Sequence, residues 1–479
     1  MNTATPNELF AEMRKSELGD ERRSERLAQM VQSLQRAPGL GFPKVFSEAE
    51  LEGAYRFFSN PEIEASGILS GHWQATSERV RQTSGKVIVA HDTTTLEYAR
   101  QVAGLTRVRG RGRADGFLAH VSLAVESGEA RMPLGNLGLS SIVRKGKRRK
   151  AKSVYEKESE RWWCHVLGAE KLIGERGKLL HVMDREADDY GLFSQMQEAG
   201  MSFVIRLYHD RRLLEPEQTE HKSPKLLDAL QTVQRVLERE VKISSRKKKG
   251  GPVNQKNYPA RQSRMARLSL GATRVTLQRP DPHSKARLGN GPTLQETLTL
   301  NVVHVWEEHP PSGQKPIEWT LLTTEPIDTL QQIEAIVDAY RSRWVIEDYF
   351  KALKSGCACE KRQLESFHAL QNCLAVMMPV AYQMLRMRAA ARSSEKRPAS
   401  DVISAMQLEV LRTCGRKKLP DNPTARDVYL AVAALGGHLK RNGEPGWLTL
   451  LRGYQDLVIM TYTWNCALIS SKYRKRCDQ

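Results

Sequence analysis

Apolar and polar positions recur with a helical period from Asp328 to Lys354, DTLQQIEAIVDAYRSRWVIEDYFKALK, and this stretch predicts one long helix. Thr329 with Gln332 three residues on forms a capping-box pattern at its start, and Gly356 lies just past its end. At about 100° per residue, Tyr340, Arg343, Glu347 and Lys354 share a stripe roughly 60° wide. Ile346, Phe350 and Leu353 form an apolar stripe beside it that would press the helix onto a core. One carboxylate, two cations and a phenol held together suit a site that handles a metal ion and phosphates. The same spacing also fits a surface ion pair between Arg343 and Glu347 beside a half-buried Tyr340.

Upstream, residues 1 to about 70 read as helical. In LGDERRSERLAQMVQSLQ the basic residues Arg22, Arg23 and Arg26 fall within an arc of roughly 100°, and Leu27, Val31 and Leu34 line another face. AELEGAYRFFSNPEI is a second helical stretch, with Tyr55, Phe57 and Phe58 as core aromatics and Asn60-Pro61 as its stop. From about residue 85 the pattern shortens to strands. KVIVAHDTTTLEY predicts a buried strand delivering Asp92 at its C-terminal end, and LAHVSLAVES and ARMPLGNLGLSS follow as a meander. YEKESERWWCHVLGAEKLIG is a helix, and KLLHVMD is a strand that ends in Asp184; Asp188 and Asp189 read as acids matched to the dipole of the next helix. After SFVIRLYHD, alternation in LEREVKISS, RMARLSL, TRVTLQRP, ETLTLNVVHVWEE and IEWTLLTTEP marks an all-β insertion at about 207–326. FHALQNCLAVMMPVAYQMLRMRAAA reads as an apolar core helix, and residues from about 391 to 479 are helical.

Charge changes this picture. Lys and Arg number 74 against 55 Asp and Glu, a net +19, which points to a polyanionic partner, with nucleic acid first. RKGKRRKAK, from Arg144 to Lys152, concentrates seven cations in nine residues. No apolar run is long enough to span a bilayer and no signal peptide is visible, so a cytoplasmic protein without a membrane partner is expected. Seven cysteines form no even framework, and the Cys357/Cys359 pair lacks metal-site partners, so reduced structural thiols are expected.

Three acids stand out, namely Asp92, Asp184 and Glu347. Phosphoryl transfer on DNA needs divalent ions that activate the attacking oxygen and stabilise the leaving one, and hard Mg²⁺ prefers carboxylates to a His/Cys set. The local sequences HDTTTLEY, DREAD and Y-x2-R-x3-E-x6-K resemble the signature regions of the DDE transposases of the insertion-sequence-four family, to which the Tn-five transposase belongs. The resemblance extends to LGDERR, AYRFFSNP, EWTLLTTEP and LGGHLKRNG with PGW, and so covers most of the chain. It implies an α/β fold: an RNase H-like mixed-sheet catalytic core over residues 71–390 with the β insertion, between a helical DNA-recognition domain at 1–70 and a helical dimerisation domain at 391–479. It further implies that Asp92, Asp184 and Glu347 bind two Mg²⁺ ions, with Mn²⁺ as a substitute. Tyr340, Arg343 and Lys354 would hold phosphates of the transposon end, Trp319 would receive a flipped base, and Arg22, Arg23 and Arg26 would help recognise the terminal inverted repeat. The expected partners are double-stranded DNA and a second copy of the chain, in a bacterial cytoplasm at the nucleoid, and the expected reaction is cut-and-paste transposition. Two other functions use the same residues: a nuclease without strand transfer, and a non-catalytic protein that occupies the repeats.

Overall fold

The computed structural model describes residues 6–108, 114–144, 160–214, 224–243, 245, 260–280, 294–393 and 396–477. Most of the Arg144–Lys152 basic run and the basic linkers at 246–259 and 281–293 lie outside them. The chain divides into two compact units, Met1–Lys178 with Trp344–Gln479, and Leu179–Arg343.

The first unit opens with four helices, α1 (Pro6–Arg14), α2 (Glu21–Arg36), α3 (Glu48–Ser59) and α4 (Ala65–Gln82). Asp20 caps α2 by accepting the Arg22 N–H at 2.8 Å, and Ser47 with Glu50 forms a capping box on α3. Phe57 and Phe58 are buried as expected, whereas Tyr55 is 37% exposed, because the 3.6-residue period turns it off the core face onto the edge of Phe42. Three strands follow: β1 (Val87–Tyr98), the short β2 (Thr106–Arg107) and β3 (Asp115–Glu126), then β4 (Pro133–Ile142) and α5 (Glu160–Ile173). β3 pairs antiparallel with β1, β2 and β4.

The second unit contains β5 (Leu179–Met183), α6 (Tyr190–Glu198), β6 (Ser202–Arg206), α7 (Leu226–Gln231), β7 (Leu237–Ile243), β8 (Arg264–Gln278), β9 (Thr297–Trp306), β10 (Glu318–Thr323) and α8 (Leu330–Ser342). Its strands run in the order β5-β6-β10-β9-β8-β7, parallel between β5 and β6 and antiparallel elsewhere. RMARLSL and TRVTLQRP, expected as separate strands, form the single strand β8, since Gly271 between them stays extended in register with His304. A side chain there would meet Val233 Cγ1 at 2.5 Å, so the neighbouring loop closes over the glycine.

The chain then returns to the first unit through α9 (Trp344–Lys351), a π-helical turn at Ala352–Gly356, α10 (Phe367–Arg392), α11 (Ala405–Cys414), α12 (Ala425–Leu435) and α13 (Trp447–Cys477). The single helix expected over Asp328–Lys354 is thus interrupted at Arg343, whose N–H turns to the Tyr340 carbonyl at 3.2 Å. α10 is the core helix the sequence predicts, packed on α2, α3, α4, β4 and α12. Cys357, Cys359 and Cys373 are buried free thiols; burial pushes Cys357 and Cys373 up to about 12.

A buried polar group ties α1 to α4. His72 bonds Glu12 through Nδ1 at 2.8 Å, and Arg79 pairs with the same carboxylate. The Asn136 N–H donates to His72 Nε2 at 3.2 Å, which fixes a neutral imidazole with its proton on Nδ1. Burial lowers the His72 imidazole against the pull of Glu12. Burial alone would raise the Glu12 carboxyl, yet His72 and Arg79 outweigh it and hold the group below its ordinary value. Both groups therefore take up protons more readily in the unfolded chain, so stability is lost on acidification. The loss begins as pH falls below 6.5 through His72 and is joined below 4.5 by Glu12. Each group contributes up to about 1.4 kcal/mol per pH unit in its window. Urea midpoints measured across this range should fall with pH, and a His72→Gln variant should show a shallower slope between the two values.

Candidate active site and DNA-binding surfaces

Asp92 sits in the middle of β1 and not at its end. Val87–His91 are buried in one run, after which burial alternates to Tyr98 while the pairing to β3 continues as far as Asp115. The three β-branched threonines after Asp92 suit a pleated, half-buried strand, so β1 extends past the apolar run that marked it in the sequence. Asp92 is half-buried and accepts the Thr93 N–H at 2.7 Å.

Two other expected residues lie on elements packed against or bonded to this strand. α9 packs on β1, and Glu347 lies half-buried in its first turn. Lys354, in the π-helical turn, donates from Nζ to the Thr95 carbonyl of β1 and stands 3.7 Å from Glu360. Lys354 thus bonds β1 directly, and the helix that carries Glu347 packs on the same strand within the first unit.

The second unit holds the rest. Asp184 follows β5 as expected and accepts the Glu186 N–H at 2.9 Å, capping the short turn Arg185–Ala187. Asp189 caps α6, as its dipole-matching role requires, but Asp188 does not serve the helix. Its buried carboxylate accepts the N–H groups of Tyr208 at 2.6 Å and His209 at 2.7 Å and pairs with Arg211, fixing the chain after β6. Trp319 on β10 is half-buried, and its ring meets that of Tyr340 edge-on at 5.5 Å. Arg343 lies 6.0 Å over the Tyr340 ring, and both Tyr340 and Arg343 are buried, at 2% and 7% exposure. Trp319, Tyr340 and Arg343 therefore form one aromatic and cationic cluster, with α8 packed on β5 and β6.

On α2, Arg22 and Arg26 are exposed, while Arg23 pairs with Glu62 and donates to the Leu18 carbonyl at 3.2 Å. Sequence reasoning missed Arg362, whose guanidinium donates at 2.6 Å to each of the Leu40, Pro38 and Cys357 carbonyls. It also missed the histidines beside Asp92, for which the one sequence signal is the neighbouring position of His91.

Two domain families match this chain. Residues 9–63 match the transposase DNA-binding family, and residues 169–378 match the transposase DDE domain. The first span contains Arg22, Arg23 and Arg26; the second contains Asp184, Trp319, Tyr340, Arg343, Glu347 and Lys354 and begins beyond Asp92. Among solved structures, a synaptic complex of piggyBac transposase with hairpin DNA aligns with 81% of this chain and 74% of that one at 9% identity and a TM-score of 0.37. That likeness is too slight to carry an argument, and the identification rests on the two domain matches. The chain combines a transposase DNA-binding domain with a DDE transposase domain. Its function is DNA transposition, by DNA cleavage and strand transfer.

Proposed function

We propose that this chain is the cut-and-paste transposase of an insertion sequence of the insertion-sequence-four family, acting at terminal inverted repeats with Asp92, Asp184 and Glu347 as one metal site. The observation that supports it most is that a DDE domain match spans Asp184 and Glu347 while the helix of Glu347 packs on the strand of Asp92. The core is read as RNase H-like over residues 71–390, with the strands at about 207–326 as its insertion, and the helical regions at 1–70 and 391–479 recognise DNA and dimerise.

The donor set is three carboxylates, hard oxygen ligands that suit Mg²⁺, with Mn²⁺ as its substitute. Asp92 and Asp184 each turn an oxygen to a nearby backbone N–H, which orients the carboxylate without neutralising it. Bound there, two divalent ions would supply activation of the attacking oxygen and stabilisation of the leaving one. The chain's own residues do the rest. Tyr340, Arg343 and Lys354 are read as the group that holds backbone phosphates beside the scissile bond, so that water and then the freed 3′ hydroxyl meet the phosphorus in line. That role requires Tyr340 and Arg343, 2% and 7% exposed, to turn out toward DNA. Arg22, Arg23 and Arg26 contact the inverted repeat, the exposed Arg22 and Arg26 directly.

Synapsis of two ends requires two copies, and α13 offers a surface for the second. Leu448, Ile459 and Tyr462 are 55%, 58% and 70% exposed, and they fall within roughly 60° of one helical stripe. No helix among the described residues is long and apolar enough to cross a membrane. We infer from its DNA-binding domain match that it acts in a bacterial cytoplasm, at the nucleoid when bound to DNA.

Incubating the purified chain with labelled DNA that ends in the element's own repeats, a target plasmid and Mg²⁺ tests this reading. Nicked ends followed by products joined to target are expected. Nicking without joining would mark a nuclease, and binding without nicking a repeat-occupying protein. Trp319→Ala should weaken stacking of a flipped base beside the cut by about 1–3 kcal/mol. Fluorescence of an aminopurine placed at that position reads the loss, and Trp319→Phe should restore part of it.

A further inference from the structure

We propose that His91, His120 and His165 form a second metal site, one that takes zinc or another borderline divalent ion and braces the strand of Asp92 from within. The β1–β3 register sets Thr93 opposite His120 and His91 opposite Ser122, and α5, packed on β3 and β4, supplies His165. The three imidazoles are 0%, 0% and 8% exposed, and each offers a ring nitrogen within 4.8 Å of the other two. His120 Nε2 is buried and makes no hydrogen bond. An orphaned buried nitrogen of this kind calls for a partner.

The surroundings are those of a metal-binding histidine set. Thr93 Oγ1 holds His120 Nδ1 at 2.9 Å, Ser140 Oγ holds His165 Nε2 at 2.9 Å, and Ser122 Oγ holds His91 Nδ1 at 3.0 Å. The Thr93 hydroxyl occupies His120 Nδ1 and leaves Nε2 as the nitrogen turned to the cluster, while the serine hydroxyls hold the other two rings in place. Ser122 also lies 2.7 Å from His165 Nδ1, so its hydroxyl bridges the two rings, accepting from one and donating to the other. An ion on that nitrogen would leave Ser122 to His91 alone. Burial, helped by Arg161 and the neighbouring imidazoles, pushes His120 well below its ordinary value, and burial with Arg161 pushes His165 down to about 3. Both rings are therefore neutral at physiological pH, with lone pairs to give. Tetrahedral zinc bonds at about 2.0–2.1 Å put ligand nitrogens about 3.4 Å apart, so the rings need only close inward. All-nitrogen donors select zinc, copper or nickel over Mg²⁺, which separates this site from the carboxylates. Arg161, its guanidinium 5.5 Å over the ring of Trp162, is the charge that opposes an ion here.

The test uses the full chain and its Asp92→Ala/Glu347→Ala variant, which lacks two carboxylates of the proposed oxygen site. Both are loaded with Zn²⁺ or Co²⁺, desalted against a weak chelator and assayed for metal. About one ion per chain is expected in both, with the intense visible absorption of tetrahedral cobalt. His120→Phe, which keeps the ring volume against Trp162, and His165→Gln should each lose the ion at least tenfold, and Arg161→Gln should bind it more tightly. Metal at background in the unaltered chain, weak octahedral cobalt absorption, or retention by a folded His120→Phe variant would overturn the proposal. Should both histidine variants fail to fold, the cobalt spectrum of the unaltered chain decides alone. Strand cleavage is scored separately, so loss of the oxygen site and loss of the histidine site are read from different assays.

Discussion

Asp92→Asn is expected to lower DNA strand cleavage by on the order of 10³-fold or more, about 4 kcal/mol of barrier. The substitution keeps the shape of the side chain and its hydrogen bond with the Thr93 N–H, and removes only the charge that a divalent ion needs. Binding to repeat-ended DNA should survive, because the exposed Arg22 and Arg26 lie on a separate helix and Asp92 adds a negative charge where phosphate must approach. Cleavage of labelled strands measured beside a mobility shift separates the two properties. Glu347→Gln and Asp184→Asn should behave alike, and the three losses should not add, since one incomplete site is already inactive.

Arg362→Ala is expected to destabilise the chain by about 3 kcal/mol or more, the largest loss of stability from any single polar side chain described above. Its guanidinium satisfies three carbonyls, two in the Gly/Pro-rich connector after α2 and one at the end of the π-helical turn, and it stacks 4.6 Å from the ring of Phe42. Alanine would leave those carbonyls buried without donors. Arg362→Lys should recover only a small part, because one ammonium cannot reach three acceptors in a plane. Urea unfolding of the three proteins measures the effect directly. The contact also bears on function, since the connector joins the DNA-binding helices to the turn that carries Lys354.

Local signals were legible in the sequence. Thr329 and Gln332 form the capping box their spacing indicates, Asn60 stops α3, and Asp184 stands at the end of its strand, because each depends on neighbours within a few residues. Features set by distant partners were not. β1 runs on through Asp92 because β3 pairs with it, and no residue between Val87 and Tyr98 states how far β3 extends. The interruption at Arg343 carries no glycine or proline to announce it. Arg362 is one arginine among many until the fold brings Pro38 and Leu40 to it, and the three histidines meet only once the register of β1 and β3 and the placement of α5 are known. The three proposed acids stand out through their motifs, whereas the packing of α9 on β1 required the structure.

The central claim is that Asp92, Asp184 and Glu347 act as ligands of one divalent-metal site, and changing the ligand chemistry tests it most directly. Each acid is replaced by cysteine in turn, and cleavage of repeat-ended DNA is measured in Mg²⁺ and in Mn²⁺. A thiolate is a poor partner for Mg²⁺ and a better one for Mn²⁺. All three variants are predicted to be inactive in Mg²⁺ and to regain cleavage in Mn²⁺, whereas a cysteine variant that cleaves in Mg²⁺ as the unaltered chain does would remove that acid from the site.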